Sequence, residues 1–273
     1  MMKKRWTKAL CVVLAMMMLV LTAQPAQAAD KYTYSIKTAE SGKTVSGTNK
    51  ETYNESTDSY TYKVNIYKIT APDDGYISVT AYTYENESTY LQFYRTLADA
   101  KSWDGENSAQ RIASIDSYYK EDSNTKIPLA KGKSVYFRSA AGFSFKFKYT
   151  FTKAAIPTSN LCRAKATTLK AGVKKTICVP DGYQGYRWYK IKVTTKKTIS
   201  ITFKDLRGSM DKDYPNLTLY DSSRKEIGVV HASGDIYKSV KKLPAGTYYI
   251  KVRSDADYEE SFHQTYLYTL SWK

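Results

Sequence analysis

Short runs in which apolar and polar residues alternate recur along the chain from about residue 30 onward, with turn residues between them. This period of two is the pattern of half-buried strands. The clearest run extends from Phe143 to Phe151, where every odd position is aromatic and every even position is Ser, Lys or Thr. One face of that strand is expected to pack on a core, while Lys146 and Lys148 meet water and discourage edge pairing. In the second half, Tyr189, Ile191 and Val193 alternate with Trp188, Lys190 and Lys192, and Ile199, Ile201 and Phe203 flank Ser200 and Thr202. Only Thr96 to Trp103 has the pattern of a helical turn. The chain is therefore predicted to be all-β.

The order of these signals repeats. A Gly-centred turn (Ser41-Gly42-Lys43, then Ala171-Gly172-Val173) precedes a Tyr-Lys-Ile strand (Tyr67 to Ile69, then Tyr189 to Ile191). A β-branched strand follows (Tyr76 to Thr80, Thr198 to Phe203), then Leu91-Gln92-Phe93-Tyr94 or Leu217-Thr218-Leu219-Tyr220. Leu-Ala-Lys-Gly or Leu-Pro-Ala-Gly then leads into Lys133 to Arg138 or Thr247 to Arg253, and an aromatic strand closes each half. Between the halves, Lys153 to Asn160 combines Pro with small polar residues, as a tight linker does. Two tandem β-sandwich domains are predicted, at residues 29–155 and 158–273, each with seven to nine strands.

The first residues belong to neither. Lys3, Lys4, Arg5 and Lys8 precede an apolar run from Ala9 to Leu21, and Ala26-Gln27-Ala28 follows. A run of 13 residues is too short to span a bilayer, and Ala-x-Ala suits signal peptidase, so residues 1–28 read as a signal peptide and the product as exported, with no membrane insertion after cleavage. Removing them removes Cys11 and leaves Cys162 and Cys178 in an oxidising compartment. A Cys162–Cys178 disulfide is expected there, closing a loop of about 15 residues and stabilising by roughly 3 kcal/mol; two buried thiols are the alternative.

Charge separates the halves. Residues 158–273 hold 21 Lys+Arg against 11 Asp+Glu, while 29–157 hold 17 against 15. The basic excess therefore sits in the second half, where it favours an anionic partner. The 26 tyrosines favour sheet and imply an exposed phenolic surface in the first half, including Tyr53, Tyr60, Tyr62, Tyr82, Tyr84, Tyr90, Tyr118 and Tyr119.

Trp188 to Val193, Leu217 to Asp221, Leu243-Pro244-Ala245-Gly246-Thr247-Tyr248-Tyr249-Ile250-Lys251-Val252 and Tyr268-Thr269-Leu270 resemble the bacterial pre-peptidase C-terminal domain. The resemblance covers nearly all of the second half. It extends more weakly to the first half, through Tyr67 to Ala71, Pro72-Asp73-Asp74-Gly75 and Leu129-Ala130-Lys131-Gly132, without the Pro-Ala-Gly-Thr-Tyr-Tyr run. It implies two jelly-roll-like sandwiches of a type that usually accompanies a hydrolase without being one.

Catalytic motifs are missing from the sequence. His231 and His263 stand outside metal-ligand spacings, and no H-E-x-x-H, G-x-S-x-G, Walker or dinucleotide pattern occurs. Strand alternation places Trp188, Lys190 and Lys192 on one side of their strand and Tyr249, Lys251 and Arg253 on one side of another. Aromatic rings there suit sugars, and the cations suit carboxylate, phosphate or sulfate; the same residues serve equally as a lysine-guarded sheet edge. Asp205, Asp211, Asp213, Asn216 and Asp221 form an oxygen-rich stretch of the kind Ca²⁺ accepts, with Asp211, Asp213 and Asp221 as its carboxylates, although it lacks the glycine and terminal glutamate of an EF-hand.

The sequence thus predicts a secreted, non-catalytic binding protein for a glycan or an anionic cell-envelope polymer. The competing readings are a structural or adhesion protein that binds another surface protein, and a hydrolase with a site assembled from distant strands. Export and the absence of a reader motif argue against nucleic acid.

Overall fold

Alternation builds strands, and the strands pair within their own half of the chain. The computed structural model describes residues 30–83, 88–102, 111–117, 123–140, 142–180, 182–183, 185–206, 216–253 and 265–273. The predicted signal segment lies outside them. The first half holds β1 (Lys31–Thr38), β2 (Thr44–Thr48), β3 (Lys50–Asn54), β4 (Ser59–Thr70), β5 (Gly75–Tyr82), β6 (Tyr90–Tyr94), β7 (Arg111–Asp116), β8 (Ser123–Leu129), β9 (Ser134–Arg138) and β10 (Ser144–Lys153). The second holds β11 (Thr167–Thr168), β12 (Lys175–Val179), β13 (Arg187–Val193), β14 (Ser200–Asp205), β15 (Asn216–Tyr220), β16 (Glu226–Ile227), β17 (Val229–Ser233), β18 (Ile236–Ser239), β19 (Gly246–Arg253) and β20 (Tyr266–Trp272). One short helix, α1 (Leu97–Lys101), follows β6, and its N-cap Thr96 accepts a hydrogen bond from the Asp99 amide.

Each half is a sandwich of two sheets. In the first, the order β1-β4-β9-β6-β7, with β3 also on β4, faces β2-β10-β5-β8. In the second, β11-β13-β19-β15-β16 faces β12-β20-β14-β18-β17. Apart from β3 in the first half and β17 in the second, which have no counterpart, the two orders correspond, including an initial strand that runs parallel to its neighbour, β1 on β4 and β11 on β13. Gly42 and Gly172 both adopt positive φ at the turn that carries the chain from one sheet to the other.

The cores follow the alternation. Tyr67, Ile69, Phe93 and Phe137 from one sheet meet Ile77, Val79, Phe145 and Phe147 from the other, with Phe137 and Phe147 edge to face at 4.8 Å. In the second half, Tyr189, Ile191, Leu219 and Ile250 meet Ile177, Ile201, Phe203 and Leu270. Phe143 departs from the predicted pattern, since it precedes β10 and is exposed. Lys146 and Lys148 do not guard an edge either, because β10 lies between β2 and β5.

The halves touch. Cys178 on β12 and Leu267 on β20 are directly paired and point away from their own core, yet both are buried. Their cover comes from the first half, where Cys178 Sγ donates to the Gly75 carbonyl at 3.0 Å and β8 lies against β12 and β20. Among the described residues no helix is long and apolar enough to cross a membrane.

Candidate functional site

The outer face of the β11-β13-β19-β15-β16 sheet collects most of the basic and aromatic residues singled out in the sequence. Trp188 pairs with Lys251, Lys190 with Tyr249, and Lys192 with Thr247 across β13 and β19. Thr218 and Tyr220 of β15 continue the two rows on the far side of β19. These residues alternate with the buried Tyr189, Ile191, Val193, Tyr248, Ile250 and Val252, so their outward direction follows from the strand period. Arg253 closes β19 and pairs with Asn216, but its side chain lies outside the described residues, as does that of Asn216.

Cations are seated on rings. Lys251 Nζ lies 3.7 Å from the Tyr186 ring centroid and 5.8 Å from that of Trp188, while Trp188 and Tyr220 tilt together at 5.5 Å. Arg163 places its guanidinium 4.2 Å over the Tyr249 ring and donates to the carbonyls of Asp221 and Ser222. Glu226 on β16, paired with Tyr220, stands at the margin.

Buried polar groups hold this face in place. Asn160 donates to the Trp188 carbonyl and accepts the Trp188 amide on its own carbonyl, which fixes the start of β13. Arg187, turned inward, donates to the carbonyls of Tyr183, Gly185 and Tyr186 and so shapes the turn that carries the Tyr186 ring. Burial draws the Arg187 pKa down. The neighbouring phenols of Tyr189 and Tyr268 are 3.4 Å apart, and burial raises both, Tyr189 to about 12.

The corresponding face of the first half is roofed. There Lys68 lies over the Tyr136 ring, in the same arrangement as Lys190 beside Tyr249, but α1 packs Leu97 and Ala100 onto Ile66, Tyr94 and Tyr136. In the second half the segment after β15 is a short turn, and Asp221 closes it: its Oδ1 accepts from the Ser223 amide and hydroxyl and from the Lys225 amide. That bonding lowers the Asp221 pKa, with the Ser223 hydroxyl as the largest cause. Among the described residues no α-helix follows this turn, and none covers the face.

Other sequence-derived candidates fare differently. Asp211 and Asp213 lie outside the described residues, and Asp221 serves its turn; among the described residues no three His, Cys, Asp or Glu side chains come together as a metal site. The expected Cys162–Cys178 bridge is corrected to two free thiols, with Cys162 exposed and Cys178 buried. Cys162 precedes β11 in one sheet, whereas Cys178 belongs to β12 in the facing sheet and turns toward the first half, so the short separation a disulfide requires is not met. His231 is an exposed residue of β17, paired with Tyr237 and beside the Gly234 carbonyl, and His263 lies outside the described residues.

Three members of the site escaped sequence reasoning. Tyr220 was legible in principle, since it shares the alternation of β15. Tyr186 lies on an irregular segment and Arg163 opens a one-turn 3-10 helix, Arg163–Lys165, and nothing in the sequence signals that they reach this face.

Residues 185–254, which carry this face, match the family model described as the bacterial pre-peptidase C-terminal domain. The chain is similar to the pre-peptidase C-terminal domain of a collagenase from Bacillus anthracis, at 19% identity over 40% of this chain and 94% of that one, with a TM-score of 0.30. It is also similar to tripeptidyl peptidase 2, at 11% identity over 85% of this chain and 23% of that one, with a TM-score of 0.26. A CUB1-EGF-CUB2 fragment of human MASP-1/3 aligns at 12% identity over 84% and 99%, with a TM-score of 0.21. No curated protein matches the chain.

Proposed function

We propose that this chain, whose second half carries a bacterial pre-peptidase C-terminal domain, is an exported, non-catalytic binding protein built from two tandem copies of that module. Its open face in the second half holds an anionic polymer of a cell envelope. The observation that carries the reading is the position of the lysines. Lys192 lies past the two-residue β11 and pairs with β19 alone, but Lys190 and Lys251 lie where β13 and β19 have a partner strand on each side. Edge protection therefore does not account for Lys190 and Lys251, and cations held beside half-exposed rings in the middle of a sheet are suited to anionic groups on a sugar-bearing chain. The excess of Lys and Arg in residues 158–273 adds long-range attraction of the same sign.

The test is binding of the full chain to a poly(glycerol phosphate) polymer, compared with Trp188→Ala. Loss of the Trp188 ring removes the stacking surface and is expected to weaken binding by about 1 kcal/mol, roughly fivefold, at every salt concentration. Absence of binding to this polymer and to other polyanions would refute the reading.

A further inference from the structure

The first half presents a second aromatic surface of opposite character. Beyond the roof formed by α1, five tyrosines continue along the outer face of β1, β4 and β3. Tyr34 and Tyr32 are 6.2 Å apart between ring centroids, Tyr32 and Tyr62 4.6 Å, Tyr62 and Tyr60 5.8 Å, and Tyr60 and Tyr53 4.9 Å. The first three pairs are within 17° of parallel, so the rings form a shingled row rather than a disordered cluster. Strand geometry causes this: Tyr32 and Tyr62 are direct partners of the parallel pair, and Tyr53 and Tyr60 of the antiparallel one.

The border of the row is acidic. Asp58 accepts from the Tyr53 hydroxyl, Asp30 accepts from the Tyr60 amide, and Glu51 pairs with Tyr62 across β3 and β4. At the opposite end stand cations, Lys101, the last residue of α1, over the Tyr34 ring, and the buried Arg138 near Tyr32 and Tyr34. The acidic border repels the polyanion proposed for the second half. It suits a ligand rich in hydroxyl groups, which donate to carboxylates while sugar C–H faces lie on rings.

Size separates a glycan from a protein partner. Five rings of at most about 250 Å² each, none more than about half exposed, offer well under the roughly 800 Å² per side of a standard protein interface. A single extended sugar chain needs only such a strip.

We infer that the tyrosine row of β1, β4 and β3 is a binding site for an uncharged glycan chain, separate from the basic face of the second half. It adds to the proposed function a second ligand class on a different surface and does not depend on the first. The chain would then join an uncharged polysaccharide to an anionic one.

Affinity electrophoresis of the full chain in gels containing lichenan, galactomannan or polymeric N-acetylglucosamine tests this. At least one of these uncharged glycans is expected to retard the chain, to the same degree at low and high salt. Tyr53→Ala with Tyr60→Ala, both at exposed positions, is expected to weaken that retardation about tenfold. Lys190→Gln with Lys192→Gln and Lys251→Gln is expected to leave it unchanged, which distinguishes this site from the basic face. The inference is overturned if none of the three glycans retards the chain, or if the tyrosine pair variant is retarded as strongly as the parent. It is also overturned if that variant instead abolishes a concentration-dependent self-association in sedimentation, since the row would then be an interface between copies.

Discussion

The Cys178 thiol donates a hydrogen bond to the backbone carbonyl of Gly75, across the boundary between the two sandwiches. Around it Leu267, Pro128 and Ala130 are buried although none belongs to either main core. The outer face of β12 and β20 is thus sealed by the first half, and the two sandwiches are seated on one another rather than strung on a loose linker.

The thiols should differ accordingly. Burial pushes the Cys178 pKa up to about 12, with the carboxylate of Asp74 adding to the effect, whereas Cys162 is exposed. Alkylation of the native protein is expected to modify Cys162 and spare Cys178 until denaturant is added. A Cys162–Cys178 linked peptide under non-reducing conditions, or equal labelling of both thiols, would contradict the structure.

Leu267 is the apolar centre of this contact. Truncation in Leu267→Ala is expected to cost about 2–4 kcal/mol. Because the lost packing lies between two cores, the variant's thermal unfolding should separate into two transitions where the parent shows one. A single transition at the parent's temperature would show that the contact carries no coupling.

Alkaline pH should unfold the protein for a related reason. Cys178 is raised from its ordinary 9.0 and Tyr189 from 10.0, each to about 12. In the unfolded chain these groups lose their protons first, so the folded state binds more protons above pH 9. Stability is therefore full below pH 9 and falls as pH rises from about 9 to about 12, by up to about 1.4 kcal/mol per unit for each group. Denaturant midpoints measured between pH 8 and 11 check this, and a flat profile would contradict the burial of these two groups.

Much of the architecture was legible because alternation is a local signal. The Tyr67 to Ile69 and Tyr189 to Ile191 strands, the Phe145 to Tyr149 core run and the turn starting at Thr96 all read directly from their own neighbours. Pairing partners are not local. Nothing near Lys146 says that β10 is interior, and nothing near Lys190 says the same of β13, so edge protection remained an open reading until the sheet order was known. The near-continuous apolar run Tyr266-Leu267-Tyr268-Thr269-Leu270, buried throughout in the structure, was the available sign that β20 is covered on both faces. At the site, the strand residues Trp188, Lys190, Tyr249 and Lys251 were found from period alone. Arg163 and Tyr186 were not, because loop residues reach a face through tertiary packing rather than through a repeat.

The central claim is that the lysines of the open face neutralise a polyanion, and the salt dependence of binding tests it most directly. Each anionic group neutralised releases counterions, so the logarithm of the binding constant for poly(glycerol phosphate) should fall steeply with the logarithm of salt concentration. Changing Lys190, Lys192, Lys251 and Arg253 together to Gln is predicted to flatten that slope by roughly two units or more while the protein stays folded. If the four changes leave both the affinity and the slope as they were, the face does not hold the polymer, and a role in binding another surface protein takes its place.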